Sequence, residues 1–376
     1  MIFREDIFNN FIRLNRGFDL PDAKLVEGSY PVVASTSIKA YHKEYRVKGP
    51  GVVTGRSGSL GAVQYVAGDF WPLNTALYVK DFKGNHPKFV FYFLQKMHLE
   101  NFNSGAGVPT LNQNHLHKLR IRIPNPVVQE RIAAILSAYD DLIENNRRRI
   151  TLMEKIAEEL YREWFVRLRF PGHEKTKFVK GAPEGWEVRT LASFSNEIKK
   201  GVKKKYLPDD EKYVGLEHIP RQSISIKEWV TADAVDSNKL LFQERDILFS
   251  KIRPYLHKVA ISHISGACSS DTIVIRPKAK IYEGYLLFTV FSDTFIDLAT
   301  VASKGTKMPR ADWGFLKKLE LTVPNTRLLE AYQVQFDTLF SQIVKLLRAN
   351  EVLVTSRDLL LPRLISGKLS LENLDI

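Results

Sequence analysis

Between residues 129 and 165 one set of positions recurs at alternating steps of four and three: Ile132, Leu136, Tyr139, Ile143, Asn146, Ile150, Met153, Ala157, Leu160 and Trp164. That spacing is the seam of a coiled-coil helix. Pro126 stands before the run and Pro171 after it, and neither proline nor glycine interrupts it. At ~1.5 Å per residue the helix is expected to reach roughly 55 Å. This exceeds the usual length of a globular helix.

Adding 200 to each number gives a second seam: Tyr332, Phe336, Leu339, Ile343, Leu346, Asn350, Leu353, Arg357, Leu360 and Leu364. The two helices read as copies of one unit, each with a stripe that needs a partner. An antiparallel pairing about a pseudo-two-fold axis sets Asn146 against Asn350, Ile150 against Leu346, Ile132 against Leu364 and Trp164 against Tyr332. One Asn in a mostly apolar stripe fixes register at some expense in stability. Contact between the Asn146 and Asn350 side chains is therefore expected. The alternative is that both amides face solvent or another protein.

The stretches outside the helices read as mixed α and β. Short strands are expected at 30–34, 52–54, 62–66, 76–79 and 119–123, with a helix at 89–97 and a polar loop at 101–114. In the later region strands are expected at 212–216, 246–249, 259–264 and 272–276, with a helix at 285–291. The predicted organisation is a first domain at 1–125, a long helix at 126–168, a linker at 169–185, a second domain at 186–325, a second long helix at 326–366 and a tail at 367–376. The fold class is mixed α/β, with two globular domains separated by two long antiparallel helices.

Repetition reaches into the domains. At the offset of 200, Gly105, Pro109, Leu116, Lys118, Leu119, Pro124, Asn125 and Glu130 match Gly305, Pro309, Leu316, Lys318, Leu319, Pro324, Asn325 and Glu330 without a gap. Upstream the copies diverge, although Thr75 can be set against Thr272 at an offset of 197.

Composition then narrows the function. The net charge of +13 and pI near 9.5 favour a polyanionic partner, most often nucleic acid. Cys268 is the only cysteine, so an internal disulfide and a thiolate-rich zinc site are excluded, and a reducing cytoplasm fits. Residues 1–20 carry charges without an apolar core, so no signal peptide is expected there. The apolar run 285–291 is far shorter than the ~20 residues that span a bilayer.

Two divergent domains alternating with two similar helices carry a specific resemblance. The first helix exits through Tyr161, Arg162, Glu163, Trp164 and Phe165 into Phe170 and Pro171. The linker ends in Ala182, Pro183, Glu184, Gly185 and Trp186, and the second helix closes on Leu361, Pro362, Arg363, Leu364, Ile365, Ser366, Gly367, Lys368 and Leu369. The chain resembles the specificity (S) subunit of type I restriction-modification enzymes over essentially its whole length. One departure is that Met1, Ile2 and Phe3 offer no match to Gly185 and Trp186, so the expectation is either an abbreviated opening strand in the first domain or a start that differs from the natural one.

The resemblance implies a noncatalytic reader of double-stranded DNA, with one target-recognition domain for each half of a bipartite site. It implies docking of two methyltransferase (M) subunits and of restriction/translocase (R) subunits. S-adenosylmethionine, ATP and Mg2+ would bind those partners and not this chain, and the modification would be N6-adenine methylation. Divergence between the domains makes a non-palindromic site the expectation. The alternatives are an equivalent reader for a non-translocating restriction or methylation system, or a coiled-coil scaffold whose end domains bind proteins.

Candidate DNA contacts follow from residue chemistry. In the loop 104–114, Thr110, Asn112, Gln113 and His115 offer amides suited to adenine and a methyl suited to thymine. Its counterpart at 303–310 offers Lys304, Lys307 and Arg310, suited to phosphate or guanine. The glycine-rich turn 55–61 presents Arg56 and Ser57. Lys251, Arg253 and Tyr255 are expected at an equivalent place. Lys203, Lys204 and Lys205 form the densest basic cluster and suit phosphates. Each of these sets reads equally as ordinary solvated loop, turn or surface charge. Arg147, Arg148 and Arg149 sit beside Asn146 mid-helix, where they suit a partner's carboxylates or the DNA spacer and read otherwise as a solvated helix face.

Catalytic patterns are missing. There is no Pro-Pro dipeptide for an adenine-methyltransferase motif and no glycine-rich loop ending in Lys-Ser/Thr for ATP. The glycines at 55–61 precede an alternating strand pattern, which argues against a dinucleotide site. His115 and His117 are expected to share a strand face, without a third metal ligand.

Overall fold

A computed structural model describes residues 3–179 and 181–369. It divides into two units: one takes in the chain up to Glu144 and again from Glu351, the other is Asn145–Asn350. The long helices run as Pro126–Tyr161 and Thr326–Ser366, so each unit holds one mixed α/β domain and its own portion of the helix pair.

Both helices start on the same cap. Asn125 Oδ1 accepts from the Val128 amide at 3.0 Å, and Asn325 Oδ1 from the Leu328 amide at 3.0 Å, which satisfies one of the open N–H groups of the first turn. Pro126 follows the first cap where a missing N–H is harmless. The first α-helix ends at Tyr161 and passes into a π turn, Arg162–Val166, short of the expected residue 168. Leu168 then takes a left-handed φ of 58°.

Within each unit the seams pair antiparallel. In the first, Ile132, Leu136 and Leu364 share one buried cluster, and Arg357 donates to Asp140 at 2.6 Å. In the second, Ile150, Ile343, Leu346 and Leu347 form a buried cluster, the Trp164 and Tyr332 rings lie 5.7 Å apart, and Asn146 donates to Asn350.

The domains share a frame. Each has a four-stranded sheet of the same order: Arg13–Arg16, Ala76–Asp81, Gly51–Gly55, Val63–Val66 in the first, and Ser195–Ile198, Thr272–Pro277, Ile247–Ser250, Val259–Ile261 in the second. A helix covers each sheet, Pro87–Lys96 or Glu283–Phe291, and every residue of the latter is buried. The second sheets differ, with three strands in the first domain and five in the second. The expected strand 259–264 stops at Ile261, where the Ser262 hydroxyl accepts from the Ile264 amide and turns the chain.

The first domain has a full opening strand. Phe3–Ile7 pairs antiparallel with Arg120–Pro124 as Glu187–Thr190 pairs with Glu320–Val323, and Arg4 faces Ile123 as Glu187 faces Val323. Phe3 therefore occupies the place of Trp186, and an aromatic ring replaces the missing Gly-Trp signal. The linker holds a two-residue ladder, Phe178–Val179 with Ala182–Pro183. Residues 370–376 of the expected tail lie outside the described residues. Among those described, no single helix is long and apolar enough to cross a membrane.

Candidate nucleic-acid interface

The turn 55–61 and the loop 104–114, far apart in sequence, are built together. The Arg56 amide donates to the Thr75 carbonyl at 2.8 Å, the Leu111 amide to the Arg56 carbonyl at 2.8 Å, and the Gly58 amide to the Pro109 carbonyl at 3.0 Å. Ser57 and Thr110 form an isolated β-bridge. Arg56, Ser57 and Thr110 thus share one ledge.

The second domain repeats this lattice bond for bond. Lys251 donates to the Asp271 carbonyl at 2.8 Å, Ala311 to the Lys251 carbonyl at 2.9 Å, and Arg253 to the Pro309 carbonyl at 2.8 Å. The closing bond recurs as well: Ser104 to Thr110 at 2.9 Å and Lys304 to Arg310 at 3.0 Å. Thr75 corresponds to Asp271, not Thr272, because the upstream offset is 196. Main chain holds both ledges, so their side chains are free to differ.

They do differ. Gly58 has a φ of +86°, and Arg253 at the equivalent point is also left-handed, at φ 51°. Such a conformation costs an L residue about 1–2 kcal/mol. Arg253 and Tyr255 are exposed, as are Lys304, Lys307 and Arg310. Lys304 Nζ lies 2.7 Å from Asp312, which draws the lysine pKa up and the carboxyl pKa down. Arg310 Nε donates to Asp271 at 3.1 Å.

In the first domain the Arg56 side chain donates to the Asn74 carbonyl at 3.1 Å. Asn112 caps the one-turn helix Gln113–Leu116, its Oδ1 accepting from the Asn114 amide at 2.9 Å. Gln113 Oε1 is buried, with no hydrogen-bond partner among the described residues. Of Asn112, Gln113 and His115, only His115 is exposed. The short helix replaces the end of the expected polar loop, and it also means His115 and His117 do not share a strand face. His117 turns inward and accepts from the Leu14 amide at 3.1 Å, its pKa lowered by burial and by Arg13. Among the described residues no group of three His, Cys, Asp or Glu side chains could hold a metal ion.

The lysine cluster sits apart in the chain, on the turn Lys204–Tyr206 and the residue before it. Lys203 and Lys205 are exposed, whereas Lys204 reaches Asp209 at 3.0 Å and the Ala232 carbonyl at 2.7 Å. Sequence reasoning missed Ser35, whose hydroxyl reaches the carbonyls of Ser57 and Thr75 at 3.1 and 2.8 Å. No periodic signal marks such a residue.

The model of the family described as "Type I restriction modification DNA specificity domain" matches residues 5–155 and 183–347. The chain belongs to this family. It is 26% identical over 74% of its length to the MjaIX specificity subunit of Methanocaldococcus jannaschii, covering 67% of that protein, and 25% identical over 61% of its length to the EcoDI specificity subunit of Escherichia coli, covering 56%. The fold matches the type I S subunit of M. genitalium, with a TM-score of 0.62 at 16% identity over 97% of this chain and 96% of that one. A type I specificity subunit supplies recognition and not catalysis, and two copies of one domain unit in this chain agree with the doubled family match.

Proposed function

We propose that the two ledges read the two halves of a bipartite, non-palindromic DNA site, one half per domain, with an unread spacer whose length the long helices fix. One observation carries this reading. The same main-chain lattice is present in both domains, and on it the second domain keeps an arginine, Arg253, in a left-handed conformation where the first has Gly58. Retained backbone strain at an exposed cation points to use of that side chain.

Arg56, Ser57, Thr110 and His115 form the first reading set, with Asn112 and Gln113 supporting it. Lys251, Arg253, Tyr255, Lys304, Lys307 and Arg310 form the second. Lys203 and Lys205 add phosphate affinity. Asn146 and Asn350 set the helix register. Two methyltransferase subunits and restriction/translocase subunits assemble with the chain in the cytoplasm, and they hold the S-adenosylmethionine, ATP and Mg2+.

Co-expression with the cognate methyltransferase, followed by mapping of N6-methyladenine in host DNA, tests the reading. A single split motif with a fixed gap is expected. Arg56→Ala is expected to relax one half only, and Lys251→Ala the other. Simultaneous change of both halves by either variant defeats the assignment.

A further inference from the structure

The first domain's smaller sheet carries a surface that the ledges leave out. Its edge strand, Ile38–His42, pairs with Tyr30–Val33, which in turn runs parallel to Trp71–Pro72. Ala40 is half-buried and His42 buried, so the alternate positions Lys39 and Tyr41 point outward. Beyond the strand the chain stays on the surface, with Lys43, Glu44, Tyr45 and Arg46 all exposed, as Lys39 and Tyr41 are. Arg46 and Lys48 follow, and Glu44 is the only acidic residue in 38–48, which leaves four cations against one anion. The Tyr45 ring lies 5.0 Å from Tyr30, and the Arg46 guanidinium 4.8 Å from the Trp71 ring.

This strand is continuous with the first ledge. The turn that joins it to Tyr30–Val33 contains Ser35, which bonds the carbonyls of Ser57 and Thr75. In the second domain the equivalent parallel pair is Lys212–Val214 with Gly266–Cys268, and the antiparallel partner is Val230–Thr231. There the connection takes 215–229 and its Ser223 hydroxyl donates to Glu154 on the long helix. The short, outward hairpin is thus peculiar to the first domain.

We propose that the outer face of residues 38–48 grips the DNA backbone beside the first half-site, with Lys39, Lys43 and Lys48 on phosphates and Tyr41 against the sugar–phosphate edge. Interleaved cations and aromatic rings suit a polyanion with apolar sugar faces. Lys39 now pairs with Asp22 at 2.6 Å, but both side chains are exposed, and such pairs are worth little against a phosphate. This inference rests on the DNA-reading role proposed above.

The test uses the full chain co-purified with its methyltransferase, titrated with a labelled duplex bearing the mapped site over a range of KCl concentrations. The variant Lys39→Gln/Lys43→Gln/Lys48→Gln is expected to bind at least about tenfold more weakly, with a log–log salt slope reduced by about 2–3 and an unchanged motif, since each lost phosphate contact removes about 0.9 from the slope. The corresponding Lys→Arg triple variant should retain affinity, which separates charge from folding. Lysines can also sit on a sheet edge only to block association between sheets. Unchanged affinity and slope in the Gln variant, with new aggregation or without it, overturns the proposal, and loss of selectivity in Arg56→Ala in the same assay would leave the reading role standing. Absence of DNA binding by the unaltered complex overturns both.

Discussion

Asn146 Nδ2 donates to Asn350 Oδ1 at 2.9 Å, joining the midpoints of two seams that are otherwise mostly apolar. Asn146 is buried, and Ile150, Ile343 and Leu346 close over the neighbouring layer. A register slip by either helix would place an amide against an aliphatic side chain and leave a buried polar group without its partner.

The single substitution Asn146→Leu should therefore lower stability by about 1–3 kcal/mol, the typical penalty for breaking a buried polar pair from one side. Asn146→Leu/Asn350→Leu should recover much of that loss, because a matched apolar layer needs no amide partner. Thermal melting of the native chain, of Asn146→Leu, of Asn350→Leu and of the double variant gives the coupling directly. Additive losses in the double variant would show that the pair does not act as a unit.

Arg253 offers an opposite trade. Arg253→Gly removes a left-handed L residue and should raise stability by about 0.5–1 kcal/mol after the entropy of glycine is counted, while weakening recognition of the second half-site. Melting curves and methylation mapping on the same preparation check both directions. Loss of stability would mean that the side chain holds the turn in place.

The cations of the second ledge are partly neutralised by Asp271 and Asp312. Asp312→Asn can keep the cap on the Phe315 amide yet removes the charge beside Lys304. DNA affinity should rise several-fold and its salt dependence should steepen. Equilibrium binding at two salt concentrations decides this, and unchanged binding would place Lys304 away from DNA.

Glu154 is buried on the first long helix, where both carboxylate oxygens accept from the Ser223 hydroxyl, at 3.0 and 2.9 Å. Burial raises its pKa from 4.5 despite the opposing hydroxyls and Lys227. A folded value above the unfolded one means that the contribution of Glu154 to stability is fully present below about pH 4.5 and is lost as pH rises through the folded value. Compared with Glu154→Gln, the native chain should lose melting temperature over that rise. A constant difference between the two would remove Glu154 as the cause.

The helices were legible because a seam needs only periodicity, and a gap-free offset of 200 announces duplication. Much of the four-stranded sheets was legible for a similar reason: 52–54, 76–79, 247–249 and 273–275 lie in largely apolar, buried strand segments. The opening strand of the first domain is full length where an abbreviated one was expected. Phe3–Ile7 reads Phe-Arg-Glu-Asp-Ile and is half of a two-stranded pair, so its order comes from a partner more than 100 residues away. The candidate site was legible as chemistry but not as placement. Asn112 and Gln113 carry amides of a kind suited to adenine, yet one is bound as a cap and the other has its oxygen buried. Only local backbone geometry decides whether such an amide faces its own helix or solvent. Residues 38–48 went unread because an edge strand with one apolar position in each pair gives a weak strand signal.

The lattice shared by the two ledges makes the chain a keyboard with fixed keys and changeable letters. Every one of its bonds runs from amide to carbonyl, so none is lost when Arg56, Thr110, Lys251 or Arg310 is exchanged. On the proposed reading, a library varied at those positions alters the text being read while the folding problem stays the same, and selection explores new words in one half without rewriting the other.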